Sequence, residues 1–172
     1  MFSFYDTNFM DKPNHPEIVA TLDTYNGYQF KLSGDTAVPN ATADDVKAEE
    51  TYIMLNIIDK PDLDNTSDYF VVAGEYIRAY RAKDLAGLSF NMSSELATDT
   101  YAGVSVGDTF VGRSTADTTD TMKWKKTADV TGYSVYLEVI KKTTFGAFTY
   151  QKGAGTIPGG YLVKLHVVDL VA

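Results

Sequence analysis

The sequence predicts a mainly β fold: a compact single-domain β-barrel or β-sandwich of about seven to nine strands, with an extended N-terminal arm and one or two short helical turns. Three observations carry this. The acids are 17 Asp against six Glu, beside 20 Thr and 12 Tyr; Asp suits turns and caps, whereas Thr and Tyr suit pleated surfaces. Apolar residues recur with a period of two in several segments, the spacing of a strand with one buried face. The 172 residues, 44% hydrophobic, match one domain on a prior of about 100–200 residues each.

Residues 1–16, MFSFYDTNFMDKPNHP, read as the arm, and 17–172 as the β domain. Phe2, Phe4, Tyr5, Phe9 and Met10 crowd the first ten positions, and Pro13 and Pro16 then oppose a regular element. Such an arm either folds back over its own core or docks onto another subunit. It has neither the basic start nor the apolar run of a secretion signal, and no stretch approaches 18 consecutive apolar residues. The expectation is synthesis and folding in a cytoplasm, without a membrane span.

Glu17–Ser33 alternates around Asn26-Gly27 and predicts a hairpin. A three-residue loop, Tyr25-Asn26-Gly27, with Gly27 left-handed, pairs Leu22 with Phe30 and Ala20 with Leu32 and makes one face apolar. Thr42 or Asp44 caps a helical turn over DDVKAEE. Thr51–Asp59 is evenly apolar, so it predicts a central strand or one buried on both faces. After the turn-rich 60–68, Tyr69–Arg81 alternates beyond Gly74, with Tyr76, Arg78 and Tyr80 on the outer face. A helical turn at Lys83–Gly87 and a strand at Leu88–Met92 follow. Tyr101–Arg113 reads as two short strands broken at Gly107-Asp108, and Ser114–Asp129 as a long loop. The most regular strands are Gly132–Lys142 and Tyr161–Leu170, linked by the glycine-rich 144–160. The first sets Tyr133, Val135, Leu137 and Val139 against Ser134, Tyr136, Glu138 and Ile140. The second sets Tyr161, Val163, Leu165 and Val167 against Lys164 and His166.

Chemistry has few residues to work with. No Cys and two His leave no thiol nucleophile, disulfide or multi-histidine metal centre. Asp59, Asp62, Asp64 and Asp68 crowd one loop, but a calcium loop counted from Asp62 wants Gly at the sixth position and Glu at the twelfth, where Ser67 and Ala73 stand. Asp117 and Asp120 form a weaker set still. No metal, cofactor or catalytic residue is assigned. His15 lies between prolines, His166 on an outer strand face, and Glu138 is a mid-strand carboxylate without an identifiable partner. Tyr76, Tyr80, Tyr133 and Tyr136 offer platforms for a glycan, the alternative function.

Formal charge is −8, which opposes nucleic acid and anionic lipid as partners. It is uneven: 8 bases against 20 acids in residues 1–120, then 7 against 3 in 121–172. That asymmetry favours contact between copies or docking on an acidic lattice. The basic run Lys123, Trp124, Lys125 and Lys126 offers either an exposed contact anchor or an indole tucked over the barrel mouth with lysines reaching outward.

The arm with DTNFMDKP, together with the Thr-rich stretches DYFVVAGEYIRAYR and VGDTFVGRSTADTTDTMKWKK, resembles small virion structural proteins of tailed bacteriophages, especially head-decoration proteins; tail-tube and other virion β proteins look similar. The resemblance spans most of the chain and has no diagnostic motif, so it transfers no residue roles. It implies a protein of the virion, without catalysis, that binds the assembled major capsid protein or another virion protein in many copies as a homo-oligomer. The contacts this reading would use are Phe2, Phe4, Tyr5, Phe9 and Lys123–Lys126.

Overall fold

The computed structural model describes residues 2–4, 12–48, 50–56, 69–116, 121–144, 151–152 and 155–168. The strands are β1 (Phe2–Phe4), β2 (His15–Ala20), β3 (Thr24–Tyr25), β4 (Gln29–Ser33), β5 (Thr36–Val38), β6 (Tyr52–Met54), β7 (Phe70–Val71), β8 (Tyr76–Arg81), β9 (Ser89–Ser93), β10 (Thr109–Gly112), β11 (Trp124–Thr127), β12 (Val135–Thr144), β13 (Gln151–Lys152), β14 (Gly155–Thr156) and β15 (Gly159–Val167). Among the described residues one helix, α1 (Ala43–Ala48), and three short 3-10 turns accompany them. The mainly β class is thus observed, and several strands are only two or three residues long.

The strands form two principal units. Strands β2, β5, β4, β6 and β8 close into a barrel, all drawn from residues 15–81; β1, β9, β15, β12, β10 and β11 form a six-stranded sheet in that order. Ile18, Phe30, Met54, Ile77 and Ala79 fill the barrel. Ile53 and Tyr80, one each on β6 and β8, instead pack into the sheet's cluster with Phe90, Phe110, Trp124, Leu137 and Val163. Strands β6 and β8 therefore lie between two cores, so every residue of β6 is buried, as its even apolarity predicts. The same packing corrects the expectation for Tyr80: its face of β8 is covered by the sheet, leaving the ring 3% exposed.

The hairpin expected over residues 17–33 does not form. Strand β2 pairs in parallel with β5 (Val19↔Thr36) and antiparallel with β8 (Ile18↔Ile77), while β4 pairs with β5 and β6. Leu22 consequently has no Phe30 partner and is exposed. Gly27 does take the left-handed conformation, φ 92°, but in a β-turn closed by Tyr28 N–H donating to Tyr25 O at 3.0 Å, with Gly27 at its third position, where positive φ is required. Strand β2 begins at His15, within the stretch read as arm, and its ladder is irregular between His15 and Ile18, where Pro16 has no N–H to donate.

Thr42 caps α1. Its Oγ1 accepts from the Asp45 amide at 3.1 Å, and Asp45 Oδ2 accepts from the Thr42 amide at 2.9 Å, a capping box with Asp in the Glu position. The hydrogen bond from the Thr42 amide leads in holding the Asp45 carboxyl below its ordinary pKa.

Two further expectations need correction. Residues 101–103 form a 3-10 turn, not a strand, and the long loop expected over 114–129 ends in β11, antiparallel to β10. The expected strands at 132–142 and 161–170 are β12 and β15, paired from Val135↔Val167 to Thr144↔Gly159 with a shift after Val139. Ile140 falls at that shift and is exposed, which lets Lys142 turn toward the Tyr101 side.

Candidate partner-binding site

Of the expected contact residues, Phe2 and Phe4 lie in β1, which extends the sheet edge by pairing Phe2↔Met92 and Phe4↔Phe90. Tyr5 and Phe9 fall outside the described residues. Trp124 corrects the picture of an exposed anchor: it is 0% exposed, its Nε1–H donates to Gly27 O at 2.8 Å, and it stands opposite Gly112 in the β10–β11 ladder. An indole is buried readily once its one polar group finds an acceptor, and the turn at Gly27 provides that acceptor from the barrel side.

The neighbouring lysines divide. Lys126 Nζ donates to Gly103 O at 2.9 Å and lies 2.6 Å from Asp108 Oδ2. The hydrogen bond from Lys126, with one from the Ser105 amide, holds the Asp108 carboxyl below its usual pKa. Lys142 acts with it, donating to the carbonyls of Tyr101 at 2.6 Å and Val104 at 2.7 Å and lying 4.2 Å above the Tyr101 ring. Part of the expected positive region thus clasps its own 101–104 turn. Lys125 is half-buried on β11. Lys123 reaches a different setting, a cleft of about 270 Å³ shared with Tyr25, Tyr28, Glu95 and Leu96.

The cleft is framed by fixed backbone. Gln29 N–H, next to Tyr28, donates to Met122 O at 2.9 Å, and Thr98 N–H donates to Trp124 O at 2.9 Å. Gln29 Nε2 also donates to Arg113 O at 2.7 Å while its Oε1 accepts from Asn40 at 3.1 Å. Barrel and sheet are joined here by buried polar groups. The Tyr25 and Tyr28 rings lie 5.3 Å apart at 53°, and Phe70 backs Tyr25 at 5.5 Å. Leu96 is buried, and one oxygen of Glu95 accepts from Ser93 Oγ at 3.1 Å.

Phe70 also belongs to a two-stranded ribbon that exposes several apolar side chains among polar ones. Residues 20–25 run against 70–76: Gly74 N–H donates to Ala20 O at 2.8 Å, Ala73 N–H to Asp23 Oδ1 at 3.1 Å, and Tyr25 pairs with Phe70. Four of the seven large exposed hydrophobics among the described residues, Leu22, Phe70, Val72 and Tyr76, lie on this one ribbon; the others are Val106, Ile140 and Val168.

The tyrosine platform expected from Tyr76, Tyr80, Tyr133 and Tyr136 does not assemble, since Tyr80 and Tyr133 are buried while Tyr76 stands on the ribbon. Glu138 does gain a neighbour: His166 Nε2 lies 2.8 Å from its Oε2, outside hydrogen-bond geometry, and the imidazole stacks on Tyr136 at 4.8 Å and 3°. This is a cross-strand cluster between β12 and β15, on a face where Tyr136 also packs against Val46, Val111 and Tyr133. His15 packs edge-on to Tyr52 at 5.6 Å. The acidic sets at 59–68 and 117–120 lie outside the described residues. Among the described residues no group of three or more His, Cys, Asp or Glu is placed to hold a metal ion, and no helix is long and apolar enough to cross a membrane.

Of the cleft's residues only Lys123 is among the contacts expected from the sequence, and there as part of the basic run. Tyr25 and Tyr28 were legible as turn neighbours of Gly27; Glu95 and Leu96 carry no local signal. Comparison with protein-family models, with curated proteins and with solved structures finds no match to this chain.

Proposed function

We propose that this protein is a non-enzymatic structural component that binds, and stabilises or decorates, a preassembled protein lattice, the capsid of a tailed bacteriophage being the lattice its sequence style suggests. The observation that carries the reading is the ribbon, where Leu22, Phe70, Val72 and Tyr76 are left exposed together. Water-exposed apolar surface of this kind is favourable only when a partner covers it. The small chemical repertoire supports the same reading, with neither Cys nor more than two His in the chain. The acidic character of the barrel stretch, 6 bases against 12 acids over residues 12–81, suits a lattice surface with basic groups around an apolar patch.

The test is co-sedimentation with purified expanded capsids. The full chain is expected to bind at a fixed ratio to capsid subunits, and the triple variant Phe70→Ser, Val72→Ser, Tyr76→Ser to lose most of that occupancy while keeping its circular dichroism. Deletion of residues 1–12 tests the arm separately: undiminished occupancy would remove the arm as a contact. Absence of the full chain from every capsid pellet would refute the function itself.

A further inference from the structure

Barrel and sheet carry surfaces of opposite sign whose charged groups are unpaired. We propose that the protein associates head to tail with a second copy of itself, the ribbon and the acids around it in one copy covering the lysine-bearing face of β12 and β15 in the next. Such a contact needs no lattice and covers the ribbon in free solution. On the barrel side the backbone gathers carboxylates around β2. Val19 N–H donates to Asp35 O at 2.8 Å and Ala20 N–H to Glu75 O at 3.0 Å, so Asp35 and Glu75 flank the strand, while Glu17 lies on it. All three are exposed, and none takes part in an ion pair among the described residues. Val19 pairs with the exposed Tyr76, and Glu75 N–H donates to the carbonyl of the exposed Val72 at 3.1 Å. Arg78, two residues beyond Tyr76 on the same face, leaves acids in excess.

On the sheet side Lys141 stands opposite Leu162 and Glu138 opposite Lys164. Directly opposed residues share a face, and Leu162 and Lys164 alternate with the buried Tyr161, Val163 and Leu165. Lys141, Leu162 and Lys164 therefore lie together on the face turned away from the sheet's core. Lys141 and its neighbour Ile140 are exposed, and Leu162 and Lys164 half-buried. Glu138 lies 2.8 Å from His166, and neither lysine has an ion pair or side-chain hydrogen bond among the described residues. Sign decides which surfaces meet. Ribbon on ribbon would set Glu17, Asp35 and Glu75 against the same acids of the other copy, and sheet face on sheet face would oppose lysines; like charges juxtaposed across an interface are costly. Ribbon on sheet face pairs opposite charges and covers Val72 and Tyr76 on one copy with Ile140 and Leu162 of the other. The contact is heterologous and leaves each copy one free surface of either kind, so it continues past two copies into a ring or a chain.

The experiment is analytical ultracentrifugation of the full chain from micromolar to near-millimolar concentration, where association past the dimer is expected. The variant Lys141→Glu, Lys164→Glu makes both surfaces acidic, and the variant Glu17→Lys, Asp35→Lys, Glu75→Lys makes both basic. Each alone is expected to associate about tenfold or more weakly than the native chain. An equimolar mixture of the two is expected to recover association, because each supplies the sign that the other lacks. Circular dichroism checks folding, and Lys141→Gln, Lys164→Gln replaces the first variant if the reversed face does not fold. A folded native chain that stays monomeric over the whole range overturns the proposal. So does association that both variants leave intact, or that the mixture fails to recover. Capsid occupancy is read separately, so either conclusion can fail without the other.

Discussion

Trp124→Phe separates the buried indole from an exposed contact anchor. The native side chain is 0% exposed and its Nε1–H is bonded to Gly27 O at 2.8 Å; Gly27 N–H is occupied by Met54 O at 2.8 Å. Phenylalanine cannot donate, so the Gly27 carbonyl would lose its partner in a buried setting, at about 1–3 kcal/mol. The smaller ring also leaves a partial cavity at the junction of barrel and sheet, adding about 1 kcal/mol, well under the 3–5 kcal/mol of complete truncation to Ala. A total near 3 kcal/mol lowers Tm by about 6–12 °C for a chain of this length. Urea unfolding followed by circular dichroism measures the effect, and acrylamide quenching of the native protein should be weak because Trp124 is the only tryptophan. A stability loss below about 0.5 kcal/mol, the range of ordinary surface substitutions, together with strong quenching, would refute the buried indole and restore it as an anchor.

Three more outcomes follow from the geometry. Gly159→Ala would set a Cβ against Thr143 O and 2.6 Å from Tyr101 Cζ; with backbone on one side it should cost about 1–3 kcal/mol in urea unfolding. Gln29→Leu removes the donor to Arg113 O and the acceptor of Asn40, leaving buried groups unpaired, and should cost about 2–4 kcal/mol without changing the far-ultraviolet dichroism of the folded state. Asp108→Asn should cost about 0.5–1 kcal/mol at neutral pH, the scale of a largely solvated pair. Because the Asp108 carboxyl is held below its ordinary pKa in the folded chain, its contribution is present above about pH 4 and is lost as the pH falls through the folded value. Glu50 has the same sign: burial alone would raise it, but hydrogen bonds from Lys83 and Tyr52 and the charge of Arg81 overturn that. Acid titration of stability should therefore fall more steeply in the native chain than in the double variant Asp108→Asn, Glu50→Gln, and equal slopes would contradict the assignment.

What could be read from the sequence was local. Strands β12 and β15 were legible because Val135, Leu137 and Val139, like Tyr161, Val163 and Leu165, alternate on a buried face, and α1 because the candidate caps Thr42 and Asp44 stand ahead of a helix-forming run. Strand partners were not. Asn26-Gly27 looks like a hairpin turn whichever strands flank it, and the sequence around it holds no trace that β2 would pair with β5 in parallel. The KWKK run leaves its indole either exposed or tucked inward, and what decides for burial is a carbonyl 97 residues away. The cleft was hidden for the same reason: Tyr25 and Tyr28 come from the barrel, Glu95, Leu96 and Lys123 from the sheet side, and only the packing of one unit on the other brings them together.

The charge pattern changes meaning once the fold is known. Division at residue 120 makes the two parts of the chain opposite in sign, but the architecture divides near residue 81, with 6 bases against 12 acids over 12–81 and 9 against 8 over 82–168. The sheet stretch is close to neutral, and Lys126 and Lys142 within it are bound to Gly103, Tyr101 and Val104 carbonyls. Both ammonium groups fasten a turn, but only the charge of Lys126 is offset, by Asp108 at 2.6 Å, while Lys142 keeps its charge. The ribbon is different, since among the described residues Leu22, Val72 and Tyr76 are exposed on it. In the proposed function a lattice contact there rests chiefly on burial of apolar surface, which is short-ranged and tolerant of salt, and the excess of acids in the sequence over residues 12–81 acts on orientation and partner choice more than on affinity.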